Sequence, residues 1–139
     1  MSPLGATVLR VMLGVVFIAH AYYVYDVVTS DALSAMITKR LGLSLGDFVT
    51  SYILLAHFVG GIMLILGVFT RVAAMANLPI MMGAVLLFHF DQGFFLHGVI
   101  TDAARGKADV AGYEYALFVL VATLAQCFLG TGALGLTKS

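Results

Sequence analysis

Phe48-Val-Thr-Ser-Tyr52-Ile-Leu-Leu-Ala-His57-Phe-Val-Gly60-Gly61-Ile-Met-Leu-Ile-Leu-Gly67-Val-Phe69 carries no charged side chain. A helix of about 20 apolar residues crosses the roughly 30 Å hydrocarbon core of a bilayer. The stretch therefore reads as a membrane-spanning helix with an imidazole, His57, near its middle. Lipid offers that ring no hydrogen-bond partner, so it is expected to face other helices and to mark a working site or a structural network.

The same reading extends outward to both ends of the chain. Apolar runs from Leu4 to Val28, from Val72 to Phe90 and from Tyr113 to Leu134 predict three more spans. Pro3 suits a helix start, and Pro79 is expected to bend the third span. Between the second and third runs the connection is only Thr70-Arg71, which requires an antiparallel hairpin. The connection from Thr29 to Asp47 is longer. In it, Asp31 can cap a short interfacial helix with Leu33, Met36 and Ile37 on one side and Lys39-Arg40 at its end. The fold class is thus all-α: one domain over residues 1–139, a four-transmembrane-helix bundle running up-down-up-down.

Composition agrees. Hydrophobic residues make up 62% of the 139-residue chain and charged residues 10%, against roughly 25% charged in soluble domains. Mean hydropathy is +1.07. A water-soluble fold is excluded, and zero formal net charge argues against nucleic acid as a partner. The single cysteine, Cys127, can form neither an intrachain disulfide nor a redox pair. The first run lacks a basic leader and a prompt cleavage site, so it is expected to be retained. Gly130-Thr-Gly132-Ala-Leu-Gly135 matches a dinucleotide fingerprint by letter, but no strand precedes it and no helix follows. It reads as a helix breaker.

Positive charge alone barely orients the bundle. Lys39, Arg40, Arg105 and Lys107 fall on the side of the long connections, and Arg71, Lys138 and the inward-lying Arg10 on the side of the termini. All seven acids (Asp26, Asp31, Asp47, Asp91, Asp102, Asp109 and Glu114) lie on or near the long-connection side. Termini in the cytoplasm, long loops outside and an inner-membrane location are expected. At about 1.5 Å per residue, His20, His57, His89, Tyr113 and Glu114 then fall in the middle or outer half of the membrane. They are expected to converge on an outward-facing pocket. The bland alternatives are that Tyr22, Tyr23 and Tyr25 form an interfacial belt, that His89 and Asp91 mark the water interface, that Arg10 snorkels to headgroups, and that His97 is merely solvated. The methionines read as filler, and Gly60-Gly61 and Gly67 as close-packing positions.

These residues carry a resemblance. Leu9-Arg10…Gly14…Phe17…His20, then Gly60-Gly61…Gly67…Thr70-Arg71-Val-Ala-Ala, then His89…Gly93, then Gly112-Tyr113-Glu114-Tyr115-Ala116 follow the order seen in the DoxX family. The chain resembles these small four-helix membrane proteins along its whole length. It departs at His57, where the family often has a glutamate, and at Val24, where it often has a lysine. The resemblance implies quinone-coupled sulfur oxidation, as in small subunits of a thiosulfate:quinone oxidoreductase, or membership of membrane oxidoreductase assemblies in oxidative stress.

Three functions follow as expectations. In the first, a quinone is the cofactor; His57, His20 and Glu114 exchange protons, while Arg10, His20, His57, His89 and Tyr113 bind it. A redox partner protein then delivers or accepts electrons; a homo-oligomer is the other partner expected. In the second, His20 and His57 clamp a b-type haem. In the third, the bundle is a non-catalytic anchor for another oxidoreductase, and a transporter is the remainder. No metal site is expected.

Overall fold

The computed structural model describes residues 3–42, 44–95 and 112–137, and all regular structure among them is helical. Helix α1 (Pro3–Tyr23) continues into a π-helical turn, Val24–Val28. Helix α2 is Ser30–Leu41, and α3 is Gly46–Leu66. Helix α4 (Thr70–Gly83) passes into a second π-helical turn, Ala84–His89, and a 3-10 turn, Phe90–Gln92. Helix α5 is Glu114–Leu129.

Three of these units, Pro3–Val28, Gly46–Leu66 and Thr70–Gln92, are long and apolar enough to cross a membrane. No more than 33% of the most apolar window of each is buried. The remainder presents side chains such as Val8, Met12, Phe58 and Leu86 outward. That surface suits acyl chains and not water. At 16 residues, α5 is shorter, about 24 Å long.

Two boundaries differ from the sequence reading, and glycine explains both. The α3–α4 turn is Gly67–Phe69, because Gly67 adopts φ +71. Its N–H reaches Leu64 O at 3.2 Å, and that of Val68 reaches Met63 O at 2.9 Å, the Schellman closure. Thr70 and Arg71 already belong to α4. Likewise α5 stops at Leu129 and not Leu134, since Gly130 (φ +68) and Gly132 (φ +76) turn the chain back.

Helices α1 and α3 touch backbone to backbone. A Cβ on Gly14 would lie 2.6 Å from Gly61 O, and one on Gly61 would lie 2.9 Å from Gly14 O. Such contact lets helices associate by packing alone. Arg10 sits beside Leu64 and Ile65, whereas His20 sits beside His57, so the two helices run in opposite directions. Leu13, Phe17, Leu64, Ala73, Met81, Val119 and Ala122 form the core between α1, α3, α4 and α5.

Arg10 is 1% exposed and turns inward. Its Nε donates to Thr131 O at 2.8 Å, and its Nη1 donates to Leu64 O at 2.6 Å and Ile65 O at 2.7 Å. Its Nη2 donates to Leu134 O. The last carbonyls of a helix lack intrahelical partners and carry the negative end of its dipole. The guanidinium meets that need in α3 and at the same time captures the segment after α5. Further bonds secure this segment: Ala133 N to Pro3 O at 3.1 Å and Thr137 N to Gly67 O at 3.1 Å.

Helix α2 is capped by Thr29, whose Oγ1 accepts from Ala32 N at 3.4 Å, and not by Asp31, which lies within the first turn. Its apolar side faces protein: Ile37 is 1% exposed. A Cβ on Gly46 would lie 2.3 Å from Ser34 O, so the absence of a side chain there seats α2 on the start of α3.

Arg10→Leu should remove about 3–5 kcal/mol of unfolding stability, the cost of breaking a buried charged network. Chemical denaturation in detergent measures it, and a change within about 0.5 kcal/mol would contradict the inward placement. Gly14→Ala should cost about 1–3 kcal/mol by overpacking against Gly61, read in the same assay.

Candidate functional site

All five helices contribute to one cavity of about 570 Å³. Most of its wall is aliphatic or aromatic. Ile53 comes from α3, Leu33, Met36 and Ile37 come from α2, and Val119 comes from α5. Polar wall groups are few: His20, His57, His89, Gln92 and the three tyrosines Tyr23, Tyr52 and Tyr115. An apolar chamber with a few placed polar groups is the usual form of a small-molecule site.

His57 is 2% exposed. Its ring centroid lies 4.9 Å from that of Phe17 and 5.4 Å from that of His20. Nδ1 is 2.7 Å from Asn77 Oδ1. Asn77 is itself fully buried and donates from Nδ2 to Ala56 O at 3.0 Å and Ala73 O at 2.9 Å. Gly60 makes this possible, because a Cβ there would lie 2.6 Å from Asn77 Nδ2. The amide is thus held by α3 and α4 together and in turn holds the imidazole.

His20 is exposed along the cavity, and the half-buried His89 pairs through Nδ1 with Gln92 Oε1 at 3.1 Å. The Tyr52 hydroxyl donates to Ala76 O at 2.6 Å. That carbonyl belongs to the turn before Pro79, where the missing N–H and the bulk of the ring disturb the ladder. Both π-helical turns line the chamber, through Val24 and Val28 on one side and Ala84, Leu87, Phe88 and His89 on the other. Such widened turns recur at functional sites. Close to His89, Arg40 at the end of α2 pairs with Asp91 at 3.0 Å.

The structure brings His20, His57 and His89 to one wall. It places the other expected site residues elsewhere. Arg10 sits at the opposite end of α1, on the carbonyls described above. Tyr113 stacks on Phe90 at 5.6 Å and meets Phe94 edge-on at 5.4 Å. Half-buried Glu114 opens α5 with its backbone N–H on Phe94 O at 3.0 Å, while its neighbours Tyr115 and Ala116 line the chamber. His97, Asp102, Arg105, Lys107 and Asp109 lie outside the described residues. Sequence reasoning missed Asn77. Its signal was an amide isolated in an apolar helix, which must find partners in its neighbours.

The DoxX family model matches residues 5–90. The chain belongs to the DoxX family. The matched region contains Arg10, the Gly14–Gly61 contact, Asn77 and all three cavity histidines, and it ends before α5. No curated protein and no solved structure matches the chain.

Asn77→Ala should cost about 1–3 kcal/mol, because it strands the buried Nδ1 of His57. Gly60→Ala should displace the same amide. The two together should therefore cost clearly less than their sum, and additive losses in denaturant titrations would refute the coupling.

Proposed function

We propose that this chain is a four-span subunit of the inner membrane whose cavity holds a quinone-class ligand and handles its protons. The observation that carries this reading is His57: a buried imidazole, oriented by Asn77, in the wall of a mainly apolar 570 Å³ chamber. The chamber suits an aromatic ring with an apolar tail, and its few polar groups suit the ring's oxygens. When bound, a quinone takes up or releases two electrons and two protons.

The residues of the chain have separate tasks in this reading. His57 meets a ring oxygen and is the first acceptor of its proton, which it passes on. His20, its ring neighbour at 5.4 Å, and His89 nearer the end of α4 carry that proton toward water. The helices α2 and α3 wall the chamber from water through Ile37, Leu33 and Ile53. Arg10 and Tyr113 keep the bundle in register. Imidazoles and carboxylates carry protons and no electrons, so a redox partner protein with an electron carrier of its own completes the reaction.

The up-down-up-down topology is supported by the reach of α5. It starts beside Phe90 and Phe94, and its Phe128 carbonyl accepts from Arg71 at 3.5 Å. It therefore accompanies α4 from end to end despite its length. The acids Asp26, Asp31, Asp47, Asp91 and Glu114 gather at the cavity end, which favours an outward-opening chamber and cytoplasmic termini. A second reading, a non-catalytic anchor for an oxidoreductase, draws on the purely structural bonds of Arg10.

Purified chain in lipid nanodiscs should bind a short-tailed benzoquinone couple saturably. Ala84→Phe, which fills the chamber, should weaken binding at least about tenfold, and Phe58→Ala on the opposite face of α3 should not. Absence of saturable binding, or indifference to Ala84→Phe, would leave the anchor reading in its place.

A further inference from the structure

The protein has already committed the protons of two polar groups on the cavity wall. Asn77 Nδ2 lies within hydrogen-bond distance of two backbone carbonyls, which can only accept. That atom is therefore the amide nitrogen, and Oδ1 is the atom facing His57. Oδ1 can also only accept, so His57 carries its proton on Nδ1. Its other nitrogen, Nε2, is not among the buried side-chain atoms without a partner, and the ring lines the chamber. Nε2 thus presents a lone pair to the cavity. No carboxylate touches this ring among the described residues; its neighbours are Phe17, His20 and Asn77. A second proton on it would be an unpaired buried charge. Tyr52 repeats the pattern from the same helix. Its hydroxyl proton is spent on Ala76 O, which leaves the phenolic oxygen as an acceptor on a residue that lines the same chamber.

We infer that the cavity selects a ligand bringing hydroxyl donors, a hydroquinone or related phenol, over the carbonyl form of the same ring, with Asn77 as the residue that sets this preference. The inference rests on the ligand reading above and adds its direction. A hydroquinone can donate to both His57 Nε2 and Tyr52 Oη. At these two atoms a quinone offers only acceptors to acceptors and leaves the buried imidazole nitrogen unsatisfied. Release of the oxidised form is then easier than release of the reduced one.

Two measurements on the full chain in lipid nanodiscs test this. The first is an anaerobic titration with decyl-tailed benzohydroquinone and, separately, with the matching benzoquinone. The reduced form should bind about tenfold or more tightly, the effect of one buried hydrogen bond lost and its group left unpaired. Asn77→Asp should abolish or reverse the preference, since a carboxylate there supports a doubly protonated His57 whose Nε2–H donates to a carbonyl. The second is the ¹⁵N spectrum of His57 in the unaltered chain, which needs no variant to fold. It should show a protonated Nδ1 and a bare Nε2. Equal or reversed affinities with both forms binding, or a protonated Nε2, would overturn the inference and leave the ligand reading standing. Binding of neither form would overturn that reading itself, and the inference with it.

Discussion

An arginine with no carboxylate partner among the described residues, buried between apolar helices, has its donors met by backbone oxygen. The rest of the fold depends on how Arg10 meets that demand. Its four acceptors come from the end of α3 and from the segment after α5. That choice fixes α1 against α3 at one end of the bundle. From this anchor, the Gly14–Gly61 contact and the Phe17–His57 and His20–His57 ring contacts follow in order along the antiparallel pair. His20 lies ten residues beyond Arg10, about 15 Å along the helix axis. The anchor and the cavity are thus opposite ends of one rigid register.

At the cavity end the helices stop being regular. Pro79 interrupts the ladder of α4, a π-helical turn follows it, and α1 ends in another. Both widened turns line the space at the ends of α1 and α4, and α2 adds Leu33, Met36 and Ile37 to its wall. Polar groups that line this space are constrained by the need of every buried donor to find an acceptor. The consequence is chemical: Asn77 settles which nitrogen of His57 is basic toward the chamber.

Much of this was legible in the sequence. Long apolar runs nearly free of charge gave both the helices and the membrane. Histidine depth along the helices correctly brought His20 and His57 to similar levels. Depth is only half of a position, however, and rotation about the helix axis decides what a residue faces. Tyr113 and Glu114 have the right depth, yet Tyr113 turns to Phe90 and Phe94 and neither lines the chamber. Arg10 could have snorkelled, and only the tertiary arrangement of carbonyls turns it inward. Leu33, Met36 and Ile37 do share one side of α2, but Ile37 is buried against protein while Met36 stays exposed. Asn77 escaped notice because one amide in an apolar run carries no motif; its importance arises from Gly60, seventeen positions earlier, leaving it room.

A density map of the chain in nanodiscs formed from its native membrane tests the central claim most directly. The expected result is an open chamber with flat density against His57 Nε2 and Tyr52 and a tail running out between the helices. Side chains closed over that space, or an acyl chain passing His57 without a polar contact, would contradict the account.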